Sequence, residues 1–442
     1  AELQKPEDGG SIDIKFSSIE VHAKGDTTKL ERGPEGWRVV SPVNAPADKI
    51  AVDALSSQLQ TAKFKEKLEE NPTDEDLAKY GLKDPKFTVI GVASFPDGTT
   101  KTVKLEGGID NPFDNSVYMR RDGDKAVYTG EGGFRYSLEK SSFDLRDKEL
   151  FNFDEPRLKE LRVKGAGGVE WAIVQDGLKK WRMTKPMETP ADTSTIRNML
   201  VSFRGERAQA FLQDSPEKRK ALGLETPLID ATFVGDETVR VRMATASGDA
   251  GSGSYALIER TGNTVLAEVR PTAVSVLGKK PDDLKDKTLV QIDANAVAKV
   301  TITPANSAGD TVTVERAHGT DGGKSDQWMV TSPQKQPAKA FKISALLWSL
   351  GNLKASTFGE ENPKDWNKYG VGPKSETITL FDESGKVLGS FVRGKDVPEK
   401  PGLIFARGTK SQVAEVEVAR LADLPISVAD FADTTPSDAG VR

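Results

Sequence analysis

One heptapeptide pattern occurs three times. Gly36-Trp37-Arg38-Val39-Val40-Ser41-Pro42, Lys180-Trp181-Arg182-Met183-Thr184-Lys185-Pro186 and Gln327-Trp328-Met329-Val330-Thr331-Ser332-Pro333 align without gaps, and each gains a second proline four residues on, at Pro46, Pro190 and Pro337. The tryptophans are 144 and 147 residues apart. Repeats of roughly 20–50 residues would mean a stacked array, whereas this period allows each copy its own core. A position present in all three copies specifies the fold. Function is to be sought where the copies differ.

Each copy reads as α+β, a mainly antiparallel sheet with one long and one short helix. Alternating segments such as Ile19-Glu20-Val21-His22 and Thr311-Val312-Thr313-Val314-Glu315 precede the Trp motif and have the period of half-buried strands. The motif is the last strand of this small sheet, ended by a proline that cannot donate to a ladder. Asp48 and Asp192 then stand as N-caps of a long helix, with Lys339 in that place in the third copy. Val52, Leu55, Leu59 and Ala62 form its apolar stripe, as do Ile196, Met199, Leu200 and Phe203, and Ile343, Leu346, Leu347, Leu350 and Leu353.

Asn71-Pro72, Ser215-Pro216 and Asn362-Pro363 open a short helix, each with a capping side chain before a proline at the first helical position. Gly81, Gly223 and Gly370 close it in the left-handed conformation. A meander of four strands follows. Asp144-Leu145 and Asp283-Leu284 mark equivalent closing segments in the first two copies. The expected domains are residues 1–150, 151–290 and 291–433, with a frayed tail at 434–442.

The chain carries 62 Lys and Arg against 67 Asp and Glu, a net charge of −5 with both signs interspersed. That excludes a basic stripe for nucleic acid. With no cysteine and two distant histidines, His22 and His318, neither thiolate chemistry nor a transition-metal site is expected, and no cofactor is implied. Asp110 and Asp114 leave only a weak calcium possibility, in a segment whose Asn-Pro and Asp-Asn pairs are ordinary turn chemistry.

Gly130–Gly133 and the glycine-serine run at 247–254 read as hairpin loops rather than phosphate loops. Trp37, Trp181 and Trp328 are expected core anchors at one shared position. Trp348 and Trp366 are expected to be packed, and Trp171 lies on a strand with Val169 and Ile173.

In the order Trp, Pro, Pro-Ala-Asp, helix, Tyr-Gly-Leu, the chain resembles the bacterial domain of unknown function 4340 family. Trp37, Pro42, Pro46, Ala47, Asp48, Tyr80, Gly81 and Leu82 carry the likeness in the first copy, and Trp181, Pro186, Pro190, Ala191, Asp192, Gly223 and Leu224 in the second. The third keeps Trp328, Pro333, Pro337, Tyr369 and Gly370 but departs at Lys339 and Val371. The resemblance implies an N-terminal membrane anchor before an extracytoplasmic region. It also implies a gene beside an ABC transporter related to the gliding-motility type, but no catalytic residue.

The chain begins Ala1-Glu2, with no initiator methionine, and is read as trimmed of its anchor. The leading functional expectation is a non-enzymatic envelope scaffold bound to a transporter subunit. The alternatives are a cell-wall polymer or glycan-binding module and, third, a hydrolase. Partner contacts are expected on non-recurring loops, 107–115, 247–254 and 395–401, and at the joints near 150 and 290.

Overall fold

The computed structural model describes residues 15–61, 64–95, 98–177, 180–247, 252–318 and 324–433. Expectations resting on Ala62, on residues 248–251 and 319–323, and on the tail at 434–442 lie outside them.

In the first copy alternation sets the strands. On β1 (Lys15–Ala23), Phe16, Ile19, Val21 and Ala23 are buried while their neighbours face outward. It pairs with β2 (Asp26–Gly33), which leads to β3 (Gly36–Ser41), the Trp strand, and to the two-residue edge strand β4 (Ala45–Pro46). Pro46 thus sits at a sheet edge, where a missing N–H costs no ladder bond. The long helix α1 (Lys49–Thr61) follows, then β5 (Phe64–Glu69) and the short helix α2 (Asp74–Lys79). The meander is β6 (Phe87–Ser94), β7 (Thr100–Asp110), β8 (Val117–Arg121) and β9 (Val127–Gly130). Two short helices close the copy, α3 (Gly133–Leu138) and α4 (Ser142–Leu145).

The small sheet and the meander form a single sheet. β1 pairs antiparallel with β6, placing Val21 opposite Val89, and the order is β4-β3-β2-β1-β6-β7-β8-β9-β5. The other two copies repeat this nine-stranded order. The protein is α+β, with three antiparallel sheets.

Both faces of each meander carry apolar residues. In the second copy Tyr255 and Leu257 meet Leu222 and Leu224 beside the short helix. Ile258 points the other way, to the face where Phe203 of the long helix stacks on Phe233 at 5.4 Å. This explains the unbroken apolar run Tyr255-Ala256-Leu257-Ile258, since a strand buried on both sides loses its alternation. The helix stripes are buried as spaced: Val52, Leu55 and Leu59; Ile196, Met199, Leu200 and Phe203; Ile343, Leu346, Leu347 and Leu350.

Several local readings need correction. The cap of α2 is Thr73, not Asn71, because the two extra residues of the first copy let Asp76 complete a capping box there. Ser215 does cap the second short helix. In the third, Asn362 is left-handed (φ 49°), so the cap moves to Asp365 and only a 3-10 turn, Trp366–Tyr369, forms. Gly130–Gly133 is no hairpin loop. The chain passes from β9 straight into α3, whose Phe134 and Leu138 are buried. A Cβ on Gly130 would stand 2.4 Å from the Phe134 ring, so the glycine is there for close packing.

By contacts the described residues group into two units. One runs to Leu284 without Thr189–Asp192, and the other takes Thr189–Asp192 and the chain from Lys285 on. The first two copies therefore share one unit.

Candidate functional site

The recurring motif residues divide their labour. Trp37, Trp181 and Trp328 all lie on the third strand of their sheets, β3, Trp181–Lys185 and Lys324–Ser332. Trp181 and Trp328 are buried, whereas Trp37 is only partly so. The peptide bonds before Pro42, Pro186 and Pro333 are all cis. The carbonyls of Pro46, Pro190 and Pro337 accept from the amides of Asp147, Asp286 and Asp433, at 2.9, 3.0 and 2.9 Å. The second proline therefore receives the closing segment of its copy, which extends the equivalence at 144–145 and 283–284 to Asp430-Phe431.

Gly81, Gly223 and Gly370 all have φ near +70°. At Gly81 a Cβ would also lie 2.9 Å from the amide nitrogen of Ile109, so the short-helix end lies directly against β7.

Asp48 has two roles. Its Oδ1 accepts from Ala51 N at 3.1 Å, which caps α1. Its Oδ2 faces Lys148 at 3.6 Å and Arg207 at 3.7 Å. Arg207 also approaches Asp147 and Glu149, and its backbone bridges Glu149. Phe151, in the connecting segment, stacks on Phe203 at 3.9 Å, and Arg146 lies 3.4 Å over the Phe211 ring. The same plan recurs within the second unit. Asp192 pairs with Lys354, Thr288 bridges Lys354, and Ala355 N donates to Lys287 O at 2.8 Å. In the third copy Lys339 caps nothing with its side chain.

The candidate metal carboxylates are committed elsewhere. Asp110 accepts from Arg135 at 2.8 Å, and Asp114 accepts from the amide and hydroxyl of Ser116 at 2.9 and 2.6 Å. The Ser116 bonds hold the Asp114 carboxyl below its ordinary range. Among the described residues no three His, Asp or Glu side chains gather to hold a metal. His22 contacts Glu20 and Thr27, and His318 ends a strand. The segment at 107–115 is only half a loop, since Gly107–Asp110 belongs to β7.

Trp348 overturns its reading as core. It is 70% exposed, and Phe341, two turns earlier, is 65% exposed. The stripe Ile343, Leu346, Leu347 and Leu350 already fills the inner face, so position 348 must point outward. At these two places the first copy has Ile50 and Ser57, and the second Ser194 and Val201. Two exposed rings on one helix are therefore peculiar to the third copy. Trp366 is partly buried under Arg407, whose guanidinium lies 4.0 Å from the ring centre.

The second copy holds a cavity of about 720 Å³ at one end of its sheet. Trp171 forms its floor, 1% exposed, with its indole N–H donating to Lys279 O at 2.9 Å. Val169, Leu228, Ile229, Ala246, Val274 and Leu277 supply apolar wall.

The register explains why the first copy differs here. Thr28 opposite Val21 corresponds to Trp171 opposite Val163. In the first copy the hairpin is clasped by polar bonds: Asp26 accepts from the amide and hydroxyl of Ser142, and Lys24 pairs with Asp144 at 3.0 Å. In the second, Ala166 and Val169 take the places of Lys24 and Asp26, and no such clasp can form.

The clasp has a consequence in acid. Burial raises the Asp144 pKa, but bonds from Ser141 and Lys24 outweigh it and bring it from an ordinary 3.8 to about 2. A lowered folded pKa gives stability that is complete above about pH 4 and is lost as pH falls through about 2. With the side chain 30% exposed, solvent screening leaves roughly 1–2 kcal/mol. Lys24→Gln with Ser141→Ala should flatten the loss of stability between pH 4 and 2 relative to the parent. Denaturant titrations with the same slope in both proteins would contradict this.

A chain of three tandem α+β copies joined by short paired connectors defines the class. The model of the family described as Domain of unknown function (DUF4340) matches residues 37–179, 181–327 and 328–438, most of the chain. The protein belongs to that family, in three tandem copies. Each matched segment starts at the motif tryptophan itself, and the first two run on into the following copy. No curated protein matches the chain.

Sequence reasoning missed the cavity and the paired exposed rings. The substitution of Trp171 for Thr28 was a usable signal, since it changes a polar residue to the largest side chain at an inward position.

Proposed function

We propose that this protein is a non-enzymatic extracytoplasmic scaffold of the bacterial envelope, held to the membrane by an N-terminal anchor, that docks a protein partner, an ABC-type transporter subunit. The observation that carries the reading is the exposed pair Phe341 and Trp348 on the third copy's helix Ala340–Gly351. Large aromatic rings are costly in water and are enriched where protein interfaces bury their centres. Lys339 and Lys342 lie on the same helical segment, so the matching partner surface is an apolar pocket with an acidic rim. A partner must also tell one copy from its two relatives, and these rings do not recur.

The test is affinity capture of the anchored protein from envelope membranes, with the double variant Phe341→Ala, Trp348→Ala alongside. Stability should change by no more than about 0.5 kcal/mol, as for other surface changes. The transporter subunit should co-purify with the parent and be lost with the variant. Undiminished capture by the variant would refute the docking surface. Retention on peptidoglycan that depends on Trp348, in place of subunit capture, would favour glycan binding.

A further inference from the structure

We propose that the cavity of the second copy is a binding site for a single acyl chain bearing an anionic head group. Its volume, about 720 Å³, lies within the range of small-molecule pockets. Its wall is mainly apolar, and two of the large apolar residues exposed in this protein, Val169 and Leu228, belong to it. An unbranched chain suits such a space, because it presents only methylene surface to Trp171, Ile229, Val274 and Leu277.

Charge selects the head group. Among the described residues the only charged ones lining the cavity are Lys279 and Lys280, and neither ammonium pairs there with a carboxylate. Thr245, Ser247 and Ser252 add hydroxyls that can donate to an oxyanion. Lys279 is also positioned, because its carbonyl accepts the buried indole N–H of Trp171. The floor of the cavity and its cationic edge are therefore one linked structure. The first copy keeps a lysine at the equivalent place, Lys140, but lacks the floor, because Thr28 replaces the indole and the Asp26–Ser142 clasp closes the hairpin.

The probe is dodecanoate, titrated into the full chain below its aggregation concentration and followed by calorimetry, with dodecanol as the uncharged control. One-to-one saturable binding of dodecanoate is expected, weaker for dodecanol by about tenfold. Val274→Trp fills the cavity and should abolish binding of both. Should that variant fail to fold, Leu228→Asp places a carboxylate at the exposed rim and should repel dodecanoate more than dodecanol. Lys279→Gln with Lys280→Gln should remove the preference for dodecanoate and leave dodecanol unchanged.

Vesicles of phosphatidylglycerol provide the second arm. Binding that requires vesicles and is absent with monomeric dodecanoate would assign the head group to a membrane lipid. No saturable binding of dodecanoate, dodecanol or the vesicles would overturn the proposal. So would a Leu228→Asp variant that binds dodecanoate as the parent does.

Discussion

Replacing Trp181 with alanine should lower the stability of the first unit by about 3–5 kcal/mol, among the largest effects expected of any single substitution here. The ring is 2% exposed on the third strand of its sheet, so its removal leaves a cavity that flanking strands cannot close. The equivalent change at Trp37 should cost less, because that ring is only partly buried. Trp181→Phe separates packing from polarity. The Trp181 indole N–H is buried and has no acceptor among the described residues. Phenylalanine removes that unmet donor while keeping most of the volume, so it should cost much less than alanine. Denaturant unfolding of the three variants checks the order. A Trp181→Phe protein as unstable as Trp181→Ala would show that the indole shape, not its burial, holds the strand.

Phe151→Ala should come close behind, at about 3–5 kcal/mol, and should act on the joint between the first two copies. Phe151 lies in the connector, is 2% exposed and stacks on the fully buried Phe203 of the second copy's long helix. Phe203 in turn stacks on Phe233, so the connector's ring completes an aromatic column inside the second copy. Hydrogen exchange on the full chain should show lost protection in the helix Thr193–Arg204. Arg207→Ala is the contrast. Its guanidinium is 47% exposed among acids 3.7–3.9 Å away, and surface clusters of this kind are worth below about 1 kcal/mol. An Arg207→Ala protein less stable than Phe151→Ala would mean that charge, not aromatic burial, holds the joint.

Much of the fold was legible because its determinants are local. Period-two alternation gave β1 and the meander, and a helical stripe gave Val52, Leu55 and Leu59 their face. Glycines at helix ends marked Gly81, Gly223 and Gly370, where a left-handed turn leaves little choice. The features that escaped lack a local period. β5, Phe64-Lys65-Glu66-Lys67-Leu68-Glu69, is a charged edge strand whose place depends on pairing with β9, some 60 residues away. α3 hid behind Gly130 and Gly132, which serve close packing rather than a loop. Trp348 was misread because it lies within an apolar run, although the helical spacing of Ile343, Leu346 and Leu350 already excluded it from the inner face.

The sequence by itself determined the number of copies, their α+β class and the motif that each must repeat. These follow from short-range periodicity, which survives translation along the chain. Only the tertiary structure decided that each copy is one nine-stranded sheet. It alone showed that Asp48 serves both a helix cap and the joint to Arg207, and that the second copy opens a cavity where the first is clasped. Each of these depends on side chains brought together from distant segments: Asp26 with Ser142, Trp171 with Lys279, Asp48 with Arg207. Such closures carry no signature at either end alone, because a serine, a lysine or an aspartate has the same local preferences with or without its distant partner.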